Sequence, residues 1–237
     1  MTTGTLYLIP VALGDVQWNH FLPASSRDIA CRLVHFAVEN AKTARAELKR
    51  LGHPMPLRDL QINDIPQKPS NEQLTQLLAP LFTGHDLGVM SEAGCPGIAD
   101  PGAVLVSAAH QRDIRVRPLV GPSSILLALM GSGLNGQNFT FHGYLPAHEP
   151  QRSQVILKLE NESRQAGQSQ IFIETPYRNE AIFNALLQTC HPTSLLCIAR
   201  DLTLRDELIV TKSIASWRSS PAPLLHHRPT VFILSAA

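Results

Sequence analysis

Ser91-Glu92-Ala93-Gly94-Cys95-Pro96-Gly97-Ile98-Ala99-Asp100-Pro101-Gly102 decides the fold of this chain. It follows the apolar run Leu87-Gly88-Val89-Met90 and precedes Ala103-Val104-Leu105-Val106, so it reads as strand, glycine- and proline-rich loop, helix. Glycine lacks the Cβ that keeps main chain away from a ligand, and proline pre-sets φ. Asp100 stands where an N-cap is expected, with Pro101 at the first helical position. A second loop of the same kind, Val120-Gly121-Pro122-Ser123-Ser124, opens the next helix. Two glycine-marked turns from strand to helix predict a small-molecule site at the carboxyl ends of the strands.

Outward from that loop, strands and helices alternate. Residues 4–9 alternate in polarity and end at Pro10, and Val34 to Val38 is a second apolar run. Asn40 to Leu51 has helical spacing, with Ala41, Ala44 and Leu48 on one face and Gly52 and Pro54 as stops. Leu60 to Ile65 reads as a short strand. Ser70 with Gln73 forms a capping box ahead of the stripe Leu74, Leu77, Leu78 and Leu81. Helix 102–111, strand 114–119 and a very apolar helix near 123–131 follow. This order predicts a mostly parallel sheet covered on both faces. Gly131-Ser132-Gly133-Leu134-Asn135-Gly136 is rich in breakers and reads as a linker. Beyond it, strands are expected near 139–145, 171–174, 194–199, 206–211 and 230–234, with helices at 153–164 and 177–189. Neighbouring strands near 195 and 207 predict a partly antiparallel, mixed sheet. The expected fold class is therefore α/β: two α/β domains, residues 1–120 and 121–237, with a cleft between them, a common place for a ligand.

Composition narrows the function classes. At 237 residues there is ample chain for a core, and a charged content of 16% with 44% hydrophobic residues excludes a disordered protein. A formal net charge of +1 gives no global pull on nucleic acid, so any polyanion must be held by a local patch. No run of about 18 apolar residues suggests a membrane span. Met1-Thr2-Thr3-Gly4-Thr5 has no basic n-region, so no signal peptide is expected. Cys31, Cys95, Cys190 and Cys197 form no C-x-x-C pair, and there is no H-E-x-x-H, so no metal site is expected. Reduced thiols fit a cytoplasmic location.

Six segments taken together resemble one family. They are Leu6-Tyr7-Leu8-Ile9-Pro10 with Leu13-Gly14-Asp15, the Ser91 to Gly102 loop, and Gly121-Pro122-Ser123-Ser124. The others are Gly143-Tyr144-Leu145-Pro146, Glu174-Thr175-Pro176-Tyr177-Arg178 and Ala199-Arg200-Asp201-Leu202-Thr203. In order and spacing they resemble the tetrapyrrole methylase superfamily, methyltransferases that use S-adenosylmethionine. Within it the chain is most similar to the branch that methylates a ribose 2′-hydroxyl in small-subunit ribosomal RNA. The resemblance implies a homodimer acting on ribosomal RNA or the small ribosomal subunit. It also implies cofactor contacts from Leu13, Ala93, Gly94, Cys95, Ile98, Ser123, Ser124, Glu174 and Ala199.

The sequence departs from that branch at several points. Asn40-Ala41-Lys42 stands where the branch has Asp-Thr-Arg, and Glu92 stands where it has Asp. Pro66-Gln67-Lys68-Pro69-Ser70 replaces a segment rich in histidine and asparagine. Ala147-His148-Glu149-Pro150-Gln151-Arg152 carries one fixed positive charge where a basic stretch is usual. Two alternatives therefore stay open: a methyltransferase for a tetrapyrrole or other small molecule, and a protein that binds the cofactor without turnover.

Methyl transfer from a sulfonium is an in-line displacement that needs no metal, and alignment alone can supply about 7–11 kcal/mol. A ribose hydroxyl is a poor nucleophile, so a general base helps. Glu92 and Glu174, at strand ends, are the candidates; each reads equally as a cofactor ligand or a helix cap. Arg45, Arg178 and Arg200 are candidates for an acidic substrate, or else pair with neighbours such as Glu180 and Asp201. Cys95 has no activating neighbour in sequence and reads as loop packing rather than a nucleophile. His226-His227-Arg228 reads as a solvated turn that could touch phosphate.

Overall fold

The computed structural model describes residues 3–236. The chain divides into two compact units, Met1–Ser123 and Ser124–Ala237. In the first, five strands run β1 (Leu6–Leu8), β2 (His35–Val38), β3 (Gln61–Asp64), β4 (Leu87–Met90) and β5 (Val116–Pro118). They form one all-parallel sheet in the order β3-β2-β4-β1-β5. Four helices connect them: α1 (Ala24–Ala30), α2 (Ala41–Leu51), α3 (Asn71–Phe82) and α4 (Gly102–His110).

The side-chain alternation of a strand explains why both faces are covered. Phe36 and Val38 of β2 turn to one face and pack with Ala44, Leu48 and Leu51 of α2. Ala37, between them, turns to the other face with Leu74, Leu78 and Leu81 of α3 and Leu105 of α4. Helix α2 starts where Asn40 Oδ1 accepts from the Lys42 amide at 2.9 Å and ends at Gly52 with φ 72°. Helix α3 carries the expected capping box between Ser70 and Gln73.

The second unit begins with α5 (Ser124–Ser132), followed by β6 (Phe139–Tyr144), α6 (Gln151–Ala166) and β7 (Ser169–Ile173). Then come α7 (Asn179–Thr189), β8 (Leu195–Arg200), β9 (Leu208–Ser213), α8 (Ile214–Arg218) and β10 (Thr230–Ser235). Its sheet has the order β6-β7-β10-β8-β9. Only β6 and β7 pair in parallel; β10 runs antiparallel to both β7 and β8, and β9 antiparallel to β8. The mixed sheet expected from the adjacent strands is present. Its core stacks Phe172 on Phe232 at 5.8 Å between ring centroids, and Trp217 stands edge-on to Phe183 while donating to the Leu196 carbonyl at 2.8 Å.

Three features differ from the sequence reading. The breaker-rich stretch 131–136 is no linker between units, because Gly131 and Ser132 close α5 and the rest leads into β6 within the second unit. Two helices, α1 and α8, went unread. Helix α1 (ASSRDIA) and α8 (IASWR) are too short for a helical period to stand out, and each is held by packing instead. At α4 the assigned first residue is Gly102, yet Asp100 Oδ1 accepts from its amide at 2.6 Å, which is the contact expected of a capping aspartate.

Candidate active site

The loops after β1, β4 and β5 lie on the carboxyl edge of the first sheet, and short contacts knit them together. Val11 and Gly94 exchange two main-chain hydrogen bonds, at 2.9 and 3.0 Å, in an isolated antiparallel bridge. The Cys95 thiol donates to the Pro122 carbonyl at 3.1 Å. Loop β4–α4 is therefore tied to the loops after β1 and β5, the two strands on one side of β4. Inside it, Asp100 accepts from the Gly97 amide at 2.9 Å as well as from Gly102. Gly94 sits at φ 74° and Gly97 at φ 85°, conformations that side chains disfavour. A Cβ on buried Gly94 would meet Leu13 at 3.5 Å and the Pro122 carbonyl at 3.8 Å, ordinary van der Waals distances, so the turn would take a methyl group without a clash.

The expected residues Leu13, Ala93, Gly94, Cys95, Ile98 and Ser123 all fall on these loops. Ala93 and Ile98 are exposed, while Leu13, Cys95 and Ser123 are half-buried. Ser124 begins α5 in the second unit. Burial pushes the Cys95 thiol up, and Asp100 adds to the rise, so the sulfur is held as a thiol and not as a nucleophilic thiolate.

Three acidic or basic residues that the sequence reading passed over support these loops. Glu39, at the end of β2, accepts from the Glu92 amide at 2.8 Å. Burial pushes its carboxyl up, the Glu92 amide pulls it down, and the Glu92 and Asp100 carboxylates push it up again. Glu47 of α2 is buried and pairs with Arg50 at 3.0 Å. Arg50 in turn donates to the Gly14 carbonyl at 3.0 Å and to Asp15 at 3.1 Å, so α2 grips the loop that carries Leu13. The available signal was spacing: Glu47 falls among Ala44, Leu48 and Leu51, on the buried stripe of its helix. Arg45, on the same helix, is exposed and donates to the Ala41 carbonyl at 3.4 Å.

In the second unit, β6, β7 and β8 point the same way, so Glu174, Arg178, Arg200 and Asp201 share one edge of that sheet. Glu174 Oε1 accepts from the Thr175 amide at 2.7 Å and from Arg178 Nε and Nη2 at 3.0 and 2.5 Å. Arg178 thus pairs with Glu174 and not with Glu180. Arg200 donates to the Leu224 carbonyl at 2.6 Å and lies 3.3 Å from Asp201 Oδ2, which Arg228 also reaches at 3.2 Å. Ala199, just before it, is buried between Val231 and Ile209. Asp201 and Thr203 take φ of 53° and 71°, and Asp201 Oδ1, Thr203 Oγ1 and Asn179 Oδ1 are buried acceptors lacking a hydrogen-bond partner in the structure. His226 and His227 are exposed, on the turn before β10.

Among the described residues, no group of three or more His, Cys, Asp or Glu is arranged to hold a metal ion. None of the described helices is long and apolar enough to cross a membrane.

No protein-family model matches the chain. Curated relatives do. The ribosomal RNA small subunit methyltransferase I of Xylella fastidiosa is 28% identical over 98% of this chain and 81% of its own length. The proteins of the same name from Streptococcus pyogenes and Vibrio cholerae are 30% and 29% identical, over 85% and 86% of this chain and 66% and 67% of their own lengths. Over most of its length the chain is similar to these ribosomal RNA small subunit methyltransferases. Among solved structures, the methyltransferase CobJ matches with a TM-score of 0.64 at 16% identity, over 100% of this chain and 95% of that one. That likeness shows the fold, a parallel sheet followed by a mixed one. The chain spans about two thirds of the length of its Streptococcus relatives.

Proposed function

We propose that the chain transfers a methyl group from S-adenosylmethionine to a ribose 2′-hydroxyl of small-subunit ribosomal RNA, as a cytoplasmic homodimer. The observation that carries this reading is the bridge of Val11 to Gly94, with Cys95 tied to Pro122. It joins three strand-end loops into one stretch of main chain beside which a Cβ at Gly94 would meet nothing closer than 3.5 Å. These residues fit a nucleoside-sized cofactor: a loop edge held close by its own hydrogen bonds, with exposed Ile98 and half-buried Leu13 for the cofactor's apolar faces. Ala93, Gly94, Cys95, Ile98, Leu13 and Ser123 would hold it; Ser124, Glu174 and Ala199 are kept as contacts that the resemblance alone proposes. When bound, S-adenosylmethionine supplies an electrophilic methyl group.

The protein's own part is to orient the acceptor and remove its proton. Glu92 is the better candidate base. It is exposed, and its amide, not its carboxylate, is engaged by Glu39. Glu174 is occupied by Arg178 and reads as a positioning residue. Arg45, Arg178 and Arg200 are assigned to the acidic substrate, with Arg45 the freest to move.

One observation favours keeping a small acceptor in view. Arg152, the fixed positive charge after the Gly-Tyr-Leu-Pro motif, is paired with Glu149 at 3.1 Å and also donates to the Ala147 carbonyl at 3.1 Å. The experiment offers labelled S-adenosylmethionine with small ribosomal subunits, total RNA and a tetrapyrrole panel in parallel. Label in the ribosomal lane, lost when the RNA ribose carries a 2′-O-methyl, supports the reading. Label confined to tetrapyrroles moves the acceptor, and absence of cofactor binding below millimolar removes the enzyme reading altogether.

A further inference from the structure

We infer that the amino edge of the first sheet is a second binding site, one that takes a small organic phosphate. A cavity of about 290 Å³ opens there, lined by Tyr7, Arg32, Leu33, His35, His85 and Asp86 among others. His35 is the first residue of β2, and His85 and Asp86 immediately precede β4. The loops assigned to the cofactor follow the carboxyl ends of the same sheet. Strands of four residues rising about 3.3 Å per residue hold the two edges roughly 10–13 Å apart. One small ligand cannot occupy both.

The lining selects the ligand's chemistry. The two imidazoles lie 5.4 Å apart between ring centroids, tilted by 45°. A histidine pair is half a metal site, but no third histidine, cysteine or carboxylate completes one among the described residues. Asp86 is engaged elsewhere, its Oδ1 accepting from the Thr5 amide at 2.7 Å. Beside the second Asp86 oxygen, the lining carries donors: the guanidinium of Arg32, whose planar fork matches phosphate, and two ring nitrogens that become donors on protonation. Buried Leu33 supplies an apolar wall. The volume lies at the small end of ligand pockets, usually about 300–1,000 Å³. It is too large for inorganic phosphate alone and suits a phosphate bearing a few carbons.

The groups around His35 set the pH behaviour. They are Arg32 from the chain after α1, His85 and Asp86 from the loop before β4, and Tyr7 of β1, with Arg117 of β5 over the Tyr7 ring at 5.9 Å. Burial and the neighbouring His85 both push His35 down, so the empty cavity is uncharged at His35 at neutral pH and an arriving phosphate draws a proton with it.

The test titrates the full-length protein with ribose 5-phosphate, inorganic phosphate or sodium chloride at matched ionic strength. Histidine ring NMR signals and calorimetry report binding. The expected result is saturable binding of ribose 5-phosphate at pH 6, shifting both ring signals and weakening about tenfold by pH 8. Arg32→Gln and, separately, His85→Gln weaken it at least tenfold, with unchanged thermal midpoints and unchanged S-adenosylmethionine binding. No saturable shift overturns the proposal. So does binding indifferent to both substitutions, or inorganic phosphate binding as tightly as the organic one. Because cofactor binding is read in the same samples, failure here leaves the methyltransferase reading untouched.

Discussion

Arg178 reaches back across Thr175 so that its Nε and Nη2 both meet one oxygen of Glu174, at 3.0 and 2.5 Å. The Glu174 side chain is 2% exposed and that of Arg178 is 31% exposed. A carboxylate so enclosed depends on its partner. Arg178→Ala should therefore destabilise the protein by roughly 2–3 kcal/mol, below the value for a fully buried pair because solvent reaches the arginine. Denaturant unfolding checks it. With its carboxylate buried and ion-paired to Arg178, Glu174→Gln should keep turnover within about tenfold, whereas Glu92→Gln should lose the 10²–10⁴ typical of a removed general base. Single-turnover methyl transfer, compared across the two variants, decides between them.

Gly94 and Gly121 predict different failures. At Gly94 there is room for a methyl group, so Gly94→Ala should cost only the left-handed backbone, about 1–2 kcal/mol, and reveal itself mainly as weaker S-adenosylmethionine binding. At Gly121 a Cβ would overlap the Pro10 ring, and neither a proline nor its strand end can give way easily. Gly121→Ala should destabilise by about 3 kcal/mol, the upper range for overpacking. Unfolding and cofactor calorimetry on both proteins would expose the contrast; equal stability losses would contradict it.

The first sheet was legible because β1 lies between Gly4 and Pro10, β4 between Gly84 and Gly94, and each main helix repeats leucine or alanine at helical spacing. Ser70 with Gln73, and Asn40 before α2, announced helix starts through chemistry that acts within four residues. The support of the site was not legible for the opposite reason. Glu39 meets the Glu92 amide across 53 residues, and Arg50 meets Gly14 across 36. Nothing local marks a carboxylate as the partner of a distant amide. The same holds for Arg178: its nearest acidic neighbour by number, Glu180, lies on the first turn of α7, while its actual partner precedes the helix. Breakers misled at 131–136, because Gly131 serves close packing on Ile209 and not chain flexibility.

Cysteine reactivity should follow burial. Cys95 is raised above 9.0 by burial and by Asp100, and Cys190 is pushed up to about 12 by burial beside Glu160. Both are neutral thiols at pH 7. Iodoacetamide should modify half-buried Cys95 slowly, with a rate still climbing at pH 9, and should leave buried Cys190 untouched until the protein unfolds. Cys95→Ala should retain methyl transfer. Mass spectrometry of labelled peptides across pH gives the order, and rapid labelling of Cys95 at pH 7 would contradict it.

The clamp from α2 yields a pH dependence with a definite sign. Burial raises the Glu47 carboxyl above 4.5, and the Arg50 charge and the Ala12 amide only partly offset it. The folded protein then holds the proton more tightly than the unfolded chain. The stability this contributes is complete below pH 4.5 and is lost as pH rises through the folded value. Glu47→Gln removes that loss, so relative to the parent its stability should improve between pH 4.5 and 7 and gain nothing below 4.5. Arg50→Ala has the opposite consequence. It strips the buried carboxylate of its partner and releases Gly14 and Asp15, so it should destabilise by roughly 2 kcal/mol at pH 7, allowing for the partial exposure of the arginine. The double variant should recover stability, since no buried charge is left, but not cofactor affinity, since the loop bearing Leu13 stays unanchored. Unfolding curves from pH 3.5 to 7, with calorimetry on the same three proteins, separate the two effects. Recovery of both together would mean that Arg50 acts only on the carboxylate and not on the loop.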